Sequence, residues 1–223
     1  MNPPEKSVVI LSGGLDSTVL LAKLVADGRR CLALTFNYGQ RHAREIEAAR
    51  AIAAALGVEH TVGDLRGIAA LFGSNCLTDA ALPVPDGHYT EERMKATVVP
   101  GRNLLFLSAA AALAFSRGCD TVAYGAHGGD HAIYPDCRPE FANALEKAIA
   151  LADWHHVALE RPFVSLTKAD IVRLGAEIGA PLELTWSCYR GGDTHCGRCG
   201  TCVERREAFA LAGVPDPTEY ASE

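Results

Sequence analysis

The tightest constraint on this chain is a short apolar run, Val8 to Leu11, that a Ser12-Gly13-Gly14 break stops before a helical pattern begins. Four or five β-branched and apolar residues are a strand, and two glycines in succession allow a sharp turn with the backbone close to a ligand. Asp16 or Ser17 is positioned to cap a helix running to Ala26, with Gly28 just past its end. The alternation then repeats. Cys31 to Phe36 is an apolar strand, Ala43 to Leu56 an Ala- and Glu-rich helix closed by Gly57, and Val58 to Val62 a weaker strand. Short strands alternating with helices predict an α/β fold, a parallel sheet flanked by helices and joined by right-handed crossovers.

Residues 66–97 have no clear period and hold Pro83, Pro85 and Gly87; they read as an irregular excursion, a lid or an interface segment. Regular structure resumes with a helix over Asn103–Arg117, a strand over Thr121–Tyr124, and helices over Pro139–Leu151 and Thr167–Ile178. The last opens with Thr167 and Asp170 in capping-box spacing. After Pro181 the chain is rich in Gly and Cys until a short helix over Val203–Leu211. The 223 residues fit a single domain. A net charge of −6 argues against a nucleic-acid partner, whose phosphates demand Lys and Arg. The most apolar later stretch, Leu104 to Phe115, is too short to span a bilayer, so the expected setting is cytoplasmic, with no membrane partner.

In that setting the eight cysteines are not expected to pair as disulfides. Four of them, Cys188, Cys196, Cys199 and Cys202, form C-x7-C-x2-C-x2-C. Four thiolates suit a closed tetrahedral Zn²⁺ site with a structural role; an iron–sulfur cluster is the rival occupant. His195 adjoins this set and reads as a bystander.

The turn after the first strand carries chemistry of its own. Helix N-terminal N–H groups, with the Ser12, Ser17 and Thr18 hydroxyls, form an anion site. Asp16 would repel a phosphate unless Mg²⁺ lies between them. No Lys follows the last Gly, so the turn is not a Walker A loop. Other polar strings fall at strand and helix ends. Tyr38-Gly39-Gln40-Arg41-His42 follows the second strand, with Arg41 and Glu45 at helical spacing as on a solvated helix start. Arg102 and Asn103 open a helix, where an Arg opposes the helix dipole and a bound anion would account for it. Asp130, Tyr134, Asp136 and Arg138 occupy a loop after a strand end, where ligands sit in parallel sheets. Lys168, at another helix start, either neutralises phosphate or is simply solvated.

The Ser-Gly-Gly-x-Asp-Ser string resembles the PP-loop of the N-type ATP pyrophosphatases. Taken with YGQRH at Tyr38, VPGRN at Val99, YPDCRPEF at Tyr134, LTKADI at Leu166 and TWSCYRGG…CGRCGTC at Thr185, the chain resembles the 7-cyano-7-deazaguanine synthases, the QueC family, over nearly its whole length. The resemblance implies a Rossmann-like adenine-nucleotide alpha hydrolase (HUP) fold with a C-terminal zinc-binding segment, about residues 186–212. It implies a ligase of queuosine precursor synthesis that converts 7-carboxy-7-deazaguanine, ammonia and ATP into 7-cyano-7-deazaguanine (preQ0). A carboxylate resists ammonia, so ATP first makes an acyl adenylate; ammonia gives the amide, and a second activation of the amide oxygen permits elimination to the nitrile.

The resemblance further implies that Leu11, Ser12, Gly13, Gly14, Leu15, Asp16, Ser17, Thr18, Val19, Leu20 and Leu21 bind ATP, with Asp16, Ser17, Arg102 and Asp136 catalytic. Gln40, Arg41, His42, Arg102, Asn103, Asp130, Tyr134, Asp136, Arg138 and Lys168 are candidate substrate or phosphate contacts. The resemblance also implies that the four cysteines hold zinc and that the assembly is a homodimer. No general base is assigned, and Cys137 reads as a packed or substrate-lining thiol. Leu15 stands where many members carry Gln, and residues 125–131 depart from the commoner GVCETDFSG form. The alternatives are a PP-loop adenylating ligase for another carboxylate or for a tRNA base, and a non-catalytic nucleotide sensor with a zinc-ribbon module.

Overall fold

The computed structural model describes residues 5–41, 44–73, 75–77, 81–88, 97–129 and 134–221. His42 and Asp130, both expected at the site, lie outside the described residues. Among the described residues there are five strands: β1 (Lys6–Ile10), β2 (Arg30–Asn37), β3 (Glu59–Asp64), β4 (Thr121–Ala123) and β5 (Ala158–Glu160). The helices are α1 (Leu15–Ala26), α2 (Arg44–Ala55), α3 (Arg102–Arg117), α4 (Pro139–Ala150), α5 (Lys168–Glu177) and α6 (Gly200–Ala212), with 3₁₀ turns at Arg66–Phe72, Pro135–Cys137 and Leu182–Leu184. All strand pairings are parallel, in the order β3-β2-β1-β4-β5. The chain winds outward from β1 to β3 and then returns to build the other half at β4. Connections therefore diverge between β1 and β4, which opens a crevice at the carboxyl ends of those strands.

The strands are apolar on both faces because both are covered. Val8, Leu32, Leu34 and Val122 pack with Leu107 and Ala110 of α3 and Leu145 of α4. Their neighbours Val9, Ala33 and Ala123 point the other way, onto Leu20 of α1, Ile52 of α2, Ile171 of α5 and Phe209 of α6. One residue of slippage would exchange the two cores, so the alternation sets the register.

Two expectations are revised. β5 carries no signal in the sequence: it is three residues long and follows a polar stretch. The cap of α1 is Gly14, not Asp16 or Ser17, which already lie in its first turn. The expected capping box is present at α5: Thr167 Oγ1 accepts the Asp170 N–H at 3.2 Å, and Asp170 Oδ2 accepts the Thr167 N–H at 3.0 Å. Residues 84–87 of the 66–97 excursion lie against the cysteine segment. Gly87 N donates to Arg198 O at 2.8 Å, and Arg190 pairs with Asp86 at 2.6 Å. No described helix is long and apolar enough to cross a membrane.

Candidate active site and metal centre

The turn from β1 into α1 is held by its own hydroxyls. Ser17 Oγ accepts the Ser12 N–H at 3.1 Å and donates to the Gly14 carbonyl at 3.1 Å; Thr18 Oγ1 donates to the same carbonyl at 2.7 Å. Gly13 has φ +83°, and a Cβ there would sit 2.3 Å from the Glu45 carbonyl oxygen and 3.0 Å from Ala49 N. Only glycine lets the turn rest this closely on the first turns of α2. From the other side, Trp186 N donates to Gly13 O at 2.8 Å.

A cavity of about 560 Å³ opens beside this turn, over the carboxyl ends of β1, β2 and β4. That volume suits a small-molecule ligand. Ser12, Gly14, Leu15, Asp16 and Ser17 line it, together with Gln40, Arg41, Arg102, Asn103, Tyr134, Asp136 and Lys168, so most of the strings expected at the site converge. The exceptions are informative. Val19, Leu20 and Leu21, implied as nucleotide contacts, are fully buried in the core between α1 and the sheet, and Thr18 spends its hydroxyl on Gly14. Arg138 is exposed at the start of α4 and does not line the cavity. Arg41 and Glu45 do not share a helical face, since α2 begins at Arg44.

Several of the convergent groups also shape the cavity wall. Gln40 closes its own loop, accepting from Tyr38 N at 3.0 Å and donating to Phe36 O at 3.1 Å. Arg41 donates to the Leu82 carbonyl at 2.8 Å. Asp136 Oδ2 accepts the Asn103 N–H at 3.1 Å, satisfying a first-turn donor of α3, while Asn103 Nδ2 meets Cys137 Sγ at 3.4 Å. Lys168 Nζ lies 2.6 Å from Glu204 and 3.4 Å from Asp16 Oδ2. The other Asp16 oxygen, Oδ1, is buried with no hydrogen-bond partner among the described residues. A buried carboxylate oxygen left unsatisfied beside a phosphate-type turn fits a divalent cation.

Glu45 also lines the cavity, half-buried, where its helical spacing from Arg41 predicts a solvated helix start. Burial pushes its carboxyl up to about 7, against the opposing pull of the Arg102 guanidinium. Burial works against the Arg102 charge too, but Tyr38, Tyr189 and Glu45 offset it, so Arg102 stays a cation. Its guanidinium donates to Tyr38 Oη at 3.4 Å. Trp186, Ser187, Tyr189, Thr201 and Glu204 also line the wall; the first four fall within the TWSCYRGG…CGRCGTC string, which marks the metal segment and not the cavity. They reach the cavity only because the cysteine segment folds back over it.

The four cysteine sulfurs all lie within 4.8 Å of one another. Cys199 and Cys202 sulfurs are 3.4 Å apart, and those of Cys196 and Cys202 4.0 Å. Tetrahedral ligation with Zn–S near 2.3 Å requires sulfurs about 3.8 Å apart, so the set fits one such ion. Backbone N–H groups of Arg198 and Cys199 point at Cys196 Sγ (3.5 and 3.3 Å), made possible by the left-handed φ of +69° at Gly197, and they stabilise thiolate charge. His195 stands apart from the sulfurs. Its Nε2 accepts the Ser187 N–H at 3.1 Å, and burial and then Arg205 hold the ring's pKa down to about 4, so it is a neutral acceptor. Arg205, almost fully buried, ties α6 to this segment through Thr185 Oγ1 (2.6 Å), the Leu182 carbonyl (3.2 Å) and Asp216 (3.2 Å).

The model of the family described as "Queuosine biosynthesis protein QueC" matches residues 6–213. A 7-cyano-7-deazaguanine synthase from Rhizobium meliloti (strain 1021) is 55% identical over 217 residues, covering 96% of this chain and 92% of that protein. One from Allorhizobium ampelinum is 52% identical over the same shares of both chains. Among solved structures, NMN synthetase from Francisella tularensis superposes with a TM-score of 0.54 at 18% identity, covering 96% of this chain and 79% of that one; this likeness concerns the fold.

Proposed function

The chain belongs to the QueC family, and from that premise we propose that it is an ATP-dependent carbon–nitrogen ligase converting 7-carboxy-7-deazaguanine and ammonia into 7-cyano-7-deazaguanine, in queuosine precursor synthesis. The observation that carries the reading is the opening of the Ser12–Ser17 turn onto a small-molecule cavity whose walls hold Asp16, Lys168 and Arg102. The turn's N–H groups and hydroxyls bind the pyrophosphate portion of ATP. Asp16 would hold the magnesium of the nucleotide through Oδ1, which has no hydrogen-bond partner among the described residues, and that ion would neutralise phosphate charge. Lys168 and Arg102 supply further positive charge where negative charge develops as pyrophosphate departs. The acid's carboxylate oxygen attacks the α-phosphorus and pyrophosphate leaves; ammonia then displaces AMP to give the amide. The amide oxygen attacks a second ATP, and loss of AMP and a proton leaves the nitrile. One cavity serves both rounds, since each needs the same leaving-group cradle.

Zinc in the Cys188, Cys196, Cys199 and Cys202 set is structural, with no open position for a reactant. The chain acts as one domain with its metal segment at about 186–212, in the cytoplasm and as a homodimer, without nucleic acid or membrane. The test is direct. Purified protein with Mg·ATP, ammonium and 7-carboxy-7-deazaguanine is expected to release pyrophosphate and form a product whose mass is that of the nitrile. ATP consumption with another carboxylic acid, and none with this one, would overturn the substrate assignment.

A further inference from the structure

Ammonia reaches an enzyme at neutral pH mostly as ammonium, which has no lone pair to offer, so any amide-forming site must remove a proton. Among the described residues, the acids lining the cavity are Asp16, Glu45, Asp136 and Glu204. Three are engaged. Asp16 and Glu204 face Lys168 at 3.4 and 2.6 Å, and Asp136 receives the Asn103 N–H. Glu45 is placed differently. Its carbonyl oxygen abuts Gly13 of the nucleotide turn, its side chain lines the cavity, and its carboxylate makes no hydrogen bond or ion pair with any described residue.

We propose that Glu45 is the ammonium site of this enzyme: its carboxylate binds the incoming ammonium ion and takes one of its protons. The freed lone pair forms the C–N bond at the activated acyl carbon as the carbon–oxygen bond to AMP breaks. The inference rests on the ligase reading above. A carboxylate is the right receptor for a small cation, and a proton acceptor works best when its affinity for the proton is near that of the medium. Burial supplies that match by pushing the Glu45 carboxyl up to about 7.

The surrounding charges are consistent with it. Arg102 of α3 is the cation facing Glu45; it keeps the carboxylate available and weakens the hold of ammonium on its proton. Tyr38 and Tyr189 flank Arg102. Arg41 is turned to backbone carbonyls, and Arg44 is turned to Asp193 and to the Trp186 ring. On the strand beneath α2, His60 is bonded to Thr35, and Glu183 in the neighbouring 3₁₀ turn is exposed.

The experiment separates the two half-reactions in Glu45→Gln. Acid-dependent exchange between ATP and labelled pyrophosphate, run without ammonium, reports adenylation alone and is expected to stay within about twofold of the unaltered enzyme. Amide and nitrile formation from ammonium should fall about 10²–10³-fold. The deficit should shrink as pH rises and free ammonia accumulates. Hydroxylamine, neutral near pH 7, should be used by Glu45→Gln almost as well as by the unaltered enzyme, and Glu45→Asp should recover part of the ammonium rate. Equal losses in exchange and in amide formation, or no loss in amide formation, would overturn the assignment. Absence of exchange in the unaltered enzyme with this acid would bring down the ligase reading, and the ammonium site with it.

Discussion

Gly13→Ala tests whether the nucleotide turn depends on contact with α2 or only on a glycine-type backbone. Gly28 supplies the control, because its φ of +82° nearly equals the +83° of Gly13, yet nothing lies within 4 Å of a Cβ there. Both substitutions meet the left-handed penalty of about 1–2 kcal/mol. Only the change at Gly13 also drives a methyl group to 2.3 Å from Glu45 O and 3.0 Å from Ala49 N, both backbone atoms that cannot rotate away. Relief requires α2 to shift from the turn, an overpacking cost of about 1–3 kcal/mol beyond the control. With a urea slope of about 2 kcal/mol per molar, the two unfolding midpoints should differ by about 0.5–1.5 M when followed by far-ultraviolet circular dichroism. ATP should still raise the midpoint of Gly28→Ala and should lose that effect on Gly13→Ala. Coincident midpoints, or equal protection by ATP, would refute the claim that this contact shapes the site.

Cys199→Ser should cost the chain its bound metal, read by elemental analysis, and at least about 3 kcal/mol, lowering Tm by roughly 6–12 °C; a full metal complement would contradict the four-sulfur site. Asp16→Asn should leave Tm within about 2 °C and slow acid-dependent pyrophosphate exchange by about 10²–10³-fold; exchange near the unaltered rate would contradict its cation-holding role. Glu45 also predicts a pH dependence of stability. Its folded-state pKa is raised from 4.5 to about 7, so its charged form is disfavoured by folding, and unfolding free energy should fall as pH climbs through that interval. Glu45→Gln should therefore gain up to about 3 kcal/mol on the unaltered protein by pH 8 and match it near pH 4; parallel stability curves would show that the carboxyl is not so perturbed.

What the sequence made legible was what local chemistry dictates. The run Val8 to Leu11 with its glycine break, the Thr167 capping box and the four clustered cysteines each need only near neighbours, and each is found as read. The parallel sheet followed from the alternation of elements. What escaped depends on partners distant in the chain. β5 is three residues long and is a strand because β4 lies beside it. Asp16 or Ser17 was expected to cap α1, but Gly14 is the cap and the Ser17 hydroxyl joins Ser12 to Gly14. Glu45 looked like one more acid at a solvated helix start. It is a cavity group because Gly13 draws α2 onto the turn and α3 brings Arg102 opposite. Glu204 is three residues from Thr201 on α6, and nothing in that spacing foretells that Lys168, thirty-six residues earlier, reaches it.

The bond from Trp186 N to the Gly13 carbonyl makes the cysteine segment and the Ser12–Ser17 turn parts of one tether. None of the four sulfurs lines the cavity, yet a metal held between them would fix the segment that carries Trp186, Thr201 and Glu204 into its wall. Stripping such a metal with a strong chelator would therefore loosen the cavity wall from a distance, without touching any residue that lines it.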